Sequence, residues 1–408
     1  MRLTIARLGH RGDGVAEGIL VPLALPGEVV EGELSDGRMV APKIVTPSSD
    51  RVRPPCGHFR SCGGCVVQHA SDGFVAGWKQ EVVTTALAAQ GLHAPMRPVL
   101  TSPPRSRRRA ALSGRRTKKG AIVGLHGRAS DTLVAIPGCQ LLHPDLMALI
   151  PALEAIVTLG ATRKGEMSLV VTRSDSGADV AARGGKPLDP ALRAELAALT
   201  GRWAIARLSW DGETVALHQL PVQRFGSAEV APPPGAFLQA TAEGEAALVA
   251  AVTEAVGSAR RVADLFAGCG TFALPLARQA ELHAVEGEAA MLQALDRGWR
   301  AAEGLRRVTH EARDLFRRPL MAEELRRFDA VVIDPPRAGA EAQVAQLAAS
   351  DVPVIAMVSC NPVTFARDAR TLVSAGHSLE WVQVVDQFRW SSHVELAARF
   401  TKGHIRRD

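Results

Sequence analysis

The sequence predicts a multidomain protein in three parts: a small N-terminal β-barrel, an α+β central domain and a C-terminal α/β domain. Three observations predict this fold class. A chain of 408 residues is too long for one ordinary core. The first fifty residues alternate apolar and polar residues between turns, and the last part alternates strand-like and helix-like segments. We expect the three parts to span residues 1–52, 53–235 and 236–408.

The composition is that of a globular protein, with 47% hydrophobic and 22% charged residues. The richest early apolar stretch is interrupted by Pro22 and Pro26, so we expect no membrane span, and the N-terminus lacks the pattern of a secretion signal. We therefore expect a cytoplasmic protein with no membrane partner. In that compartment clustered cysteines indicate metal binding or catalysis more often than disulfides. Nothing in the sequence indicates an obligate protein partner.

The first 52 residues read as short strands between tight turns. Segments such as "RLTIARLG" and "EVVEGELSDGRMVAPKIV" alternate in polarity, and Gly-Asp-Gly, Pro-Gly and Asp-Gly separate them. A closed barrel of the OB type is the economical arrangement, because closure leaves no open sheet edge. The stretch "TPSSDRVRPP" has the composition of a linker.

The central part contains a helix candidate from Gly77 to Gln90 and a strongly basic segment from Arg105 to Lys119. The basic segment contains no acid, and the whole chain carries a net charge of +6. Such a density of cations suits nucleic-acid phosphates, although a solvated basic loop has the same composition. Residues 150–235 mix helical and strand-like patterns, which indicates an α+β domain.

The C-terminal part has the pattern of a parallel sheet covered by helices on both faces, and such sheets bind ligands at the carboxyl ends of their strands. Asp264 opens the strand-to-helix turn "DLFAGCGTF" at one strand end, and Glu286 closes the next strand. A carboxylate at that position can hold both hydroxyls of a ribose. The third glycine of the dinucleotide fingerprint is missing, which favours S-adenosylmethionine over NAD.

Two further strand ends carry side chains that could take part in catalysis. Asp334 in "VVIDPPRAG" is followed by two prolines that end the strand and aim the carboxylate into the crevice. Cys360 in "VSCNP" ends the following strand. A thiolate that adds to carbon 6 of uracil makes carbon 5 nucleophilic enough to take a methyl group, and a base must then remove the proton on carbon 5. Glu395 in "SSHVELAARF" has an apolar context in which burial would raise its pKa toward that of a useful base.

These motifs, in this order and spacing, resemble the RNA uracil-5-methyltransferase family: "DLFAGCGTF", "DPPRAG", "SCNPVTFARD" and "HVE". The resemblance covers almost the whole chain, and the first fifty residues resemble the TRAM domain, an RNA-binding barrel. It implies that Cys360 is the nucleophile and Glu395 the base. It also implies donor contacts from six residues: Gln239, Phe266, Thr271, Glu286, Asp314 and Asp334.

The chain departs from the family pattern at three places. Thr241 stands where the family usually has Asn, Arg389 stands where it tends to have Pro, and Ser106-Arg107-Arg108 replaces the usual Tyr-Arg-Asn. The two catalytic positions are unchanged.

Four cysteines stand apart from the catalytic one: Cys56, Cys62, Cys65 and Cys139. Four thiolates suit either a tetrahedral zinc ion or a cubane iron–sulfur cluster, and their spacing cannot separate the two. The family resemblance favours a [4Fe-4S] cluster on these four residues. Cys269 then remains as a packing residue in the glycine turn.

The sequence thus predicts an S-adenosylmethionine-dependent RNA (uracil-C5) methyltransferase. The family resemblance implies 23S rRNA as the favoured substrate, with transfer RNA as the alternative. A catalytically inactive iron–sulfur factor for RNA binding or ribosome assembly is a different hypothesis, against which the intact Cys360 and Glu395 argue. Methylation of an exocyclic nitrogen is a third, but that chemistry needs no cysteine.

Overall fold

The structure is a computed structural model that describes residues 1–403. The predicted C-terminal part extends to residue 408, and its last five residues lie outside the described range. Its strands form sheets of six, seven and eight strands and one separate hairpin. No helix within residues 1–403 combines the length and apolarity needed to cross a bilayer.

The N-terminal sheet has the strand order β1-β5-β6-β4-β3-β2. Its strands are β1 (Arg2–Thr4), β2 (Arg7–Leu8), β3 (Gly14–Ala16), β4 (Ile19–Val21), β5 (Val29–Ser35) and β6 (Arg38–Thr46). The two strands at the ends of this order, β1 and β2, are consecutive in the chain. Because β1 leads directly into β2, the two edge strands of the sheet lie close to each other. The sheet therefore curls around its small apolar core.

A helix and a short strand follow the linker: α1 (Asp72–Ala89) and β7 (Leu100–Thr101). The helix begins earlier than the sequence pattern predicts, because the Ser71 side chain accepts a hydrogen bond from the backbone N–H of Phe74 and caps it. Although the predicted boundary assigns both elements to the central domain, they pack on the C-terminal sheet. Val83 and Leu87 of α1 belong to its core, and β7 adds a strand to its edge.

The central domain is a seven-stranded sheet of order β10-β9-β8-β11-β12-β13-β14 with helices packed against it. Its strands are β8 (Arg109–Thr117), β9 (Gly120–His126), β10 (Leu133–Ala135), β11 (Glu166–Ser174), β12 (Gly177–Arg183), β13 (Ile205–Trp210) and β14 (Glu213–Leu217). Its helices are α2 (Pro144–Ala148), α3 (Ile150–Gly160) and α4 (Pro190–Thr200). This is the α+β arrangement expected from the mixed sequence pattern.

A separate hairpin consists of β15 (Gln223–Phe225) and β16 (Ala228–Val230). The predicted boundary also places it in the central domain, yet Phe225, Ala228 and Val230 are part of the C-terminal core. Apolar residues on a short hairpin need a partner surface to bury them, and the C-terminal domain supplies it here.

The C-terminal sheet has the order β19-β18-β17-β20-β21-β23-β22-β7. Its other strands are β17 (Arg261–Leu265), β18 (Glu281–Glu286), β19 (Val308–Ala312), β20 (Ala330–Ile333), β21 (Val354–Ser359), β22 (His377–Asp386) and β23 (Leu396–Lys402). The helices are α5 (Ala242–Val256), α6 (Ala273–Leu276), α7 (Ala289–Ala301), α8 (Ala322–Leu325), α9 (Glu341–Ala349) and α10 (Pro362–Ser374).

Strands β17 to β21 of this sheet are parallel, as the sequence predicts, and β23 runs antiparallel beside β21. The chain order reverses between β17 and β20, since β17 is followed by β18 on one side and has β20 on the other. In sheets of this kind the ligand crevice lies at such a reversal, outside the carboxyl ends of the strands.

Candidate active site

The sheet brings the predicted nucleophile and base to the same edge. Cys360 follows the last residue of β21, and Glu395 precedes the first residue of β23. Because the two strands are antiparallel, the end of one lies beside the start of the other, and Ser359 pairs directly with Leu396. Cys360 and Glu395 therefore lie opposite each other, one position beyond this last cross-strand pair, although 35 positions separate them in the sequence.

A chain of side-chain amides connects Glu395 to Asp334. Nε2 of Gln387 lies 3.2 Å from Oε2 of Glu395 and 2.5 Å from Oε1 of Gln239. Nε2 of Gln239 in turn lies 3.5 Å from Oδ2 of Asp334. The two glutamines and Glu395 are buried, so the network is fixed in place by the core around it.

Both carboxyl groups at the ends of this network hold protons more strongly than usual. Burial raises the pKa of Asp334 to about 7. Burial and the nearby charge of Asp334 raise the pKa of Glu395 well above its ordinary range, and the hydrogen bond from Gln387 partly opposes this rise. A buried carboxyl group with a raised pKa is a strong base once it ionises, which suits general-base chemistry.

Cys360 lies in a loop held by its neighbour Asn361. The Asn361 side chain caps α10 by accepting from the backbone N–H of Val363, and it donates to the carbonyl oxygen of Arg337 at 2.9 Å. This bond joins the "VSCNP" loop to the Asp-Pro-Pro loop. Burial, with the negative charges of Glu395 and Asp334, raises the pKa of Cys360 to about 11, while the Arg337 guanidinium lowers it.

A buried ion pair holds the segment that precedes Glu395. Nζ of Lys79 on α1 lies 2.5 Å from Oδ1 of Asp386 and 3.1 Å from the carbonyl oxygen of Phe388, and both charged side chains are fully buried. Its two contacts lie on either side of Gln387. Arg389, one of the departures from the family pattern, is tied to the same helix by an ion pair with Asp72 at 2.5 Å.

The glycine turn after β17 has the shape expected of a nucleoside site. Phe266 adopts a left-handed conformation with φ of 62°, which a non-glycine residue adopts only where its surroundings impose it. A Cβ at Gly268 would meet no heavy atom within 4 Å, so a ligand can approach the backbone there. Oε2 of Glu286 accepts from the N–H of Gly268 at 3.1 Å, which ties this carboxylate to the turn.

The remaining predicted donor residues lie around this turn. Thr271 follows the second glycine of the turn and is partly buried. Asp314 follows β19 and accepts hydrogen bonds from the backbone N–H groups of Phe316 and Arg317. The Phe316 ring lies 5.4 Å from the Phe266 ring, centroid to centroid, and the two aromatics border the crevice together.

Asp264 is the deepest acid of the site. Its carboxylate is fully buried, and burial, with the neighbouring charge of Asp334, raises its pKa well above the ordinary range. Neither carboxylate oxygen has a hydrogen-bond partner from another side chain. A carboxyl group this deeply buried lies beneath the glycine turn and does not contact solvent.

A cavity of about 890 Å³ opens over Cys360. One wall is the apolar face of α1, and another is the N-terminal sheet, which contributes Arg7, His10 and Arg11. His393 and Arg337 also line it. The residues from the N-terminal sheet had no distinguishing signal in the sequence, because nothing in a strand pattern tells which distant domain it faces.

The four predicted cluster cysteines line a second, separate cavity: Cys56, Cys62, Cys65 and Cys139. Backbone N–H groups lie 3.4 Å from Sγ of Cys62 and of Cys139, and burial raises the pKa of Cys65 to about 12. Among residues 1–403, however, no group of three or more His, Cys, Asp or Glu side chains is placed to hold a metal ion. The four thiols share the lining of this one cavity.

The basic segment divides into two parts with different surroundings. Arg108 forms an ion pair with Glu245 at 2.5 Å and donates to the carbonyl oxygen of Gln239, and Arg109 donates to the carbonyl oxygen of Ala236. Arg107 donates to the carbonyl oxygen of Arg109. The guanidinium groups of Arg108 and Arg109 thus join the central and C-terminal domains, so this part of the basic segment is engaged within the chain and is not a free phosphate-binding face. Three others remain exposed at the β8–β9 turn: Arg116, Lys118 and Lys119.

The fold has a solved counterpart. The crystal structure of the Pyrococcus abyssi tRNA (uracil-54, C5)-methyltransferase in complex with S-adenosyl-L-homocysteine is similar with a TM-score of 0.77, covering 98% of this chain and 99% of that one at 23% identity. The likeness in fold therefore extends over all three domains.

The comparisons of sequence agree with this geometry. The sequence model of the tRNA (Uracil-5-)-methyltransferase family matches residues 199–402. An uncharacterized RNA methyltransferase of Brucella suis is 44% identical over 406 residues, covering 98% of each chain. The 23S rRNA (uracil(1939)-C(5))-methyltransferase of Halomonas elongata is 35% identical, covering 96% of this chain and 88% of that protein. The family match and these relatives show that this chain belongs to the tRNA (uracil-5-)-methyltransferase family and is an RNA (uracil-C5) methyltransferase.

Proposed function

We propose that this enzyme transfers the methyl group of S-adenosylmethionine to carbon 5 of a uridine through a covalent bond between Cys360 and carbon 6. The observation that carries this mechanism is the placement of Cys360 and Glu395 opposite each other, one position beyond the Ser359–Leu396 pair. A thiol and a buried carboxyl group at one sheet edge, beside a nucleoside-type turn, are what addition at carbon 6 and proton removal at carbon 5 require. Methylation of an exocyclic nitrogen needs neither.

The proposed steps balance as follows. The thiolate sulfur of Cys360 adds to carbon 6, and the electron pair of the ring double bond moves toward the carbon-4 carbonyl oxygen to give an enolate. Carbon 5 of the enolate then attacks the methyl group, and the neutral sulfide of the donor leaves. Glu395 takes the proton from carbon 5, and the electrons of that bond restore the ring double bond and expel the Cys360 thiolate.

The acid–base state of the site fits these steps. In the free protein the pKa of Cys360 is raised to about 11 by burial and neighbouring carboxylates, so the thiol carries its proton at neutral pH. Addition therefore requires that proton to leave, and the open cavity over Cys360 gives it a path to solvent. The Arg337 guanidinium favours the thiolate. A positively charged donor beside Asp334 and Glu395 would favour their ionised forms.

We place the donor in the crevice at the reversal between β17 and β20. The open backbone at Gly268 would face the nucleoside of the donor. Glu286 accepts one hydrogen bond from the Gly268 N–H, and its remaining lone pairs would accept from the ribose hydroxyls. The rings of Phe266 and Phe316 would border the base. Asp334, held by Gln239, would lie nearest the charged sulfur. Thr271 and Asp314 complete the set of proposed donor contacts.

We also propose that the four cysteines of the second cavity hold a [4Fe-4S] cluster. A single zinc ion needs four ligands within about 2.3 Å of one centre. The thiols here line one common space that either group could use, and the family resemblance favours the cluster. Four thiols, two of them (Cys62 and Cys139) with a backbone N–H group near the sulfur, suit cluster ligation. When bound, such a cluster would tie the Cys56–Cys65 loop to the central sheet.

For the substrate we favour 23S rRNA, since the Halomonas relative named for 23S rRNA matches over nearly the whole chain at 35% identity. Transfer RNA is the alternative, because the similar Pyrococcus structure is named for a tRNA uridine. We assign RNA binding to the curled N-terminal sheet, a TRAM-like barrel, because Arg7 and Arg11 line the Cys360 cavity. We propose a cytoplasmic location, as expected from the sequence.

Nucleoside analysis tests the proposed function. RNA from cells that lack this protein should carry unmodified uridine at one position where RNA from the parent strain carries 5-methyluridine, and the purified enzyme should restore the methyl group with S-adenosylmethionine. A site in 23S rRNA supports the favoured substrate and a tRNA site supports the alternative. Restoration of a methylated exocyclic nitrogen, with no 5-methyluridine, would contradict the proposal.

A further inference from the structure

Arginine pairs mark the edge of the C-terminal sheet opposite to the active site. Arg260 precedes β17 and Arg261 begins it. Arg306 and Arg307 directly precede β19, and Arg326 and Arg327 lie just before the start of β20. Because these strands are parallel, their starts meet at one edge. The three pairs therefore form a single row, which we call the arginine edge.

The arginine edge is exposed and largely free of counter-charges. All six side chains belong to exposed residues, and among residues 1–403 the one ion pair they form is between Arg261 and Asp329 at a long 4.0 Å. The Asp329 carboxylate is already engaged, since it accepts from the backbone N–H groups of Arg260 and Arg261. This contrasts with Arg107, Arg108 and Arg109, whose guanidinium groups are taken up within the chain.

A cavity of about 220 Å³ lies within the arginine edge, lined by Arg261, Arg307 and Arg327. Its floor is formed by His283 and Thr309, which hydrogen-bond to each other at 2.9 Å between Nδ1 and Oγ1. Nε2 of His283 is buried without a hydrogen-bond partner, and it faces Oε2 of Glu311 at 3.8 Å. The Arg327 guanidinium lies 4.8 Å from the centre of the Phe328 ring, which holds it at the rim. Three guanidinium groups around a small polar cavity suit a phosphate group.

We propose that the arginine edge binds backbone phosphates of the RNA at a distance from the target uridine. Strands of five or six residues separate it from the catalytic edge by roughly 17 Å, and the row from β19 to β20 spans about 14 Å, enough for several phosphates. The nucleotides bound there are therefore not those at Cys360. The arginine edge presents guanidinium groups and no exposed aromatic stack for bases. It therefore recognises the phosphate charge of the RNA backbone and not the base sequence.

The identity of the partner as RNA rests on the proposed function, and the test separates the two. The probe is a base-paired RNA hairpin without uridine, so binding does not depend on methyl transfer. Replacing Arg306, Arg307, Arg326 and Arg327 by Gln should weaken hairpin binding about tenfold or more at low salt. The slope of log K against log salt should also fall by about 0.9 for every phosphate that the variant no longer binds.

A matched control removes four exposed cations from the central domain by changing Arg163, Lys164, Arg183 and Arg202 to Gln. The salt slope of this variant should stay near that of the wild type, although its net charge equals that of the first variant. Binding of S-adenosylhomocysteine to both variants checks that they are folded. Equal losses of affinity in the two variants, or an unchanged slope in the first, would show that the arginine edge does not hold RNA.

A reciprocal variant excludes misfolding as an explanation. Glu281 is the exposed acid that lines the cavity of the arginine edge. Glu281→Lys should tighten hairpin binding and steepen its salt dependence, because it removes a repulsive charge and adds an attractive one. A damaged protein cannot produce that gain, and weaker binding by Glu281→Lys would contradict the proposal.

Discussion

Gln387 donates a hydrogen bond of 3.2 Å from Nε2 to Oε2 of Glu395. The same nitrogen lies 2.5 Å from Oε1 of Gln239, and Oε1 of Gln387 accepts from the backbone N–H of Ala240. The amide of Gln387 therefore has no freedom to turn, and it fixes the carboxyl group of Glu395 in one orientation. It is also the one neighbour that lowers the pKa of Glu395 against the effect of burial.

Gln387→Met should slow turnover about tenfold to a hundredfold, since a general base that is misplaced and harder to ionise loses much of its effect. The pH dependence of kcat should shift to higher pH, because the pKa of Glu395 rises when the hydrogen bond is removed. KM for RNA should change little. Gln383→Met, which removes another buried amide from β22, is the matched control and should leave the pH dependence in place. A slower enzyme with an unshifted pH dependence would mean that Gln387 acts on packing alone.

Asp334 should make donor binding depend on pH. Burial raises its pKa to about 7, so the carboxylate forms as pH rises through that value. S-adenosylmethionine carries a positive sulfur and S-adenosylhomocysteine does not, so only the affinity for the former should increase over that range. Asp334→Asn should abolish the difference. Calorimetric titration with both ligands measures it, and parallel pH curves for the two would place Asp334 away from the sulfur.

Arg108 should contribute to the stability of the fold and not to the binding of RNA. Its ion pair with Glu245 is largely buried, and breaking such a pair by removing one partner costs about 3 kcal/mol. Arg108→Met should therefore lower the free energy of unfolding by about that amount, whereas the double variant Arg108→Met with Glu245→Leu should recover most of it. The salt slope of RNA binding should not change. If Arg108→Met has normal stability and its salt slope for RNA binding is lower by about 0.9, then Arg108 binds a phosphate of the RNA and this account of Arg108 is wrong.

The iron–sulfur proposal predicts a colour and a metal content. Protein purified without oxygen should be brown and contain about four irons for each chain, as four cysteine ligands imply. Cys56→Ser should lower the iron content and weaken the folding of the central domain, because cluster ligation and folding are coupled. Cys269→Ser is the control, since Cys269 is buried in the glycine turn, away from the cluster cavity. Stoichiometric zinc without iron or visible absorption would contradict the proposal.

Residues at strand ends were predictable because a parallel sheet has only one ligand edge. Asp264, Glu286, Asp334 and Cys360 each follow an apolar run, and the structure places all four at that edge. Glu395 was identified only through its relation to Cys360 and the family motifs. The antiparallel return of β23 that brings it to the same edge has no signature in local sequence.

Other features could not be predicted because they depend on contacts between distant segments. Lys79 looks like an exposed helix residue, yet it is fully buried against Asp386, 307 positions away. Gln387 has no periodicity that distinguishes it from any loop amide. The density of charge around Arg108 indicated phosphates, but charge density does not show that the partners are carbonyl groups and a glutamate of the same chain.

The covalent step between Cys360 and carbon 6 is the central claim, and trapping tests it most directly. Glu395→Gln keeps the nucleophile but lacks the base, so it should accumulate a methylated protein–RNA complex that survives denaturation. RNA with 5-fluorouridine at the target should trap the wild type in the same way, because fluorine cannot leave as a cation. Cys360→Ala should form neither complex and transfer no methyl group. Normal turnover by Cys360→Ala, or the absence of any denaturation-resistant complex with the fluorinated RNA, would contradict the mechanism.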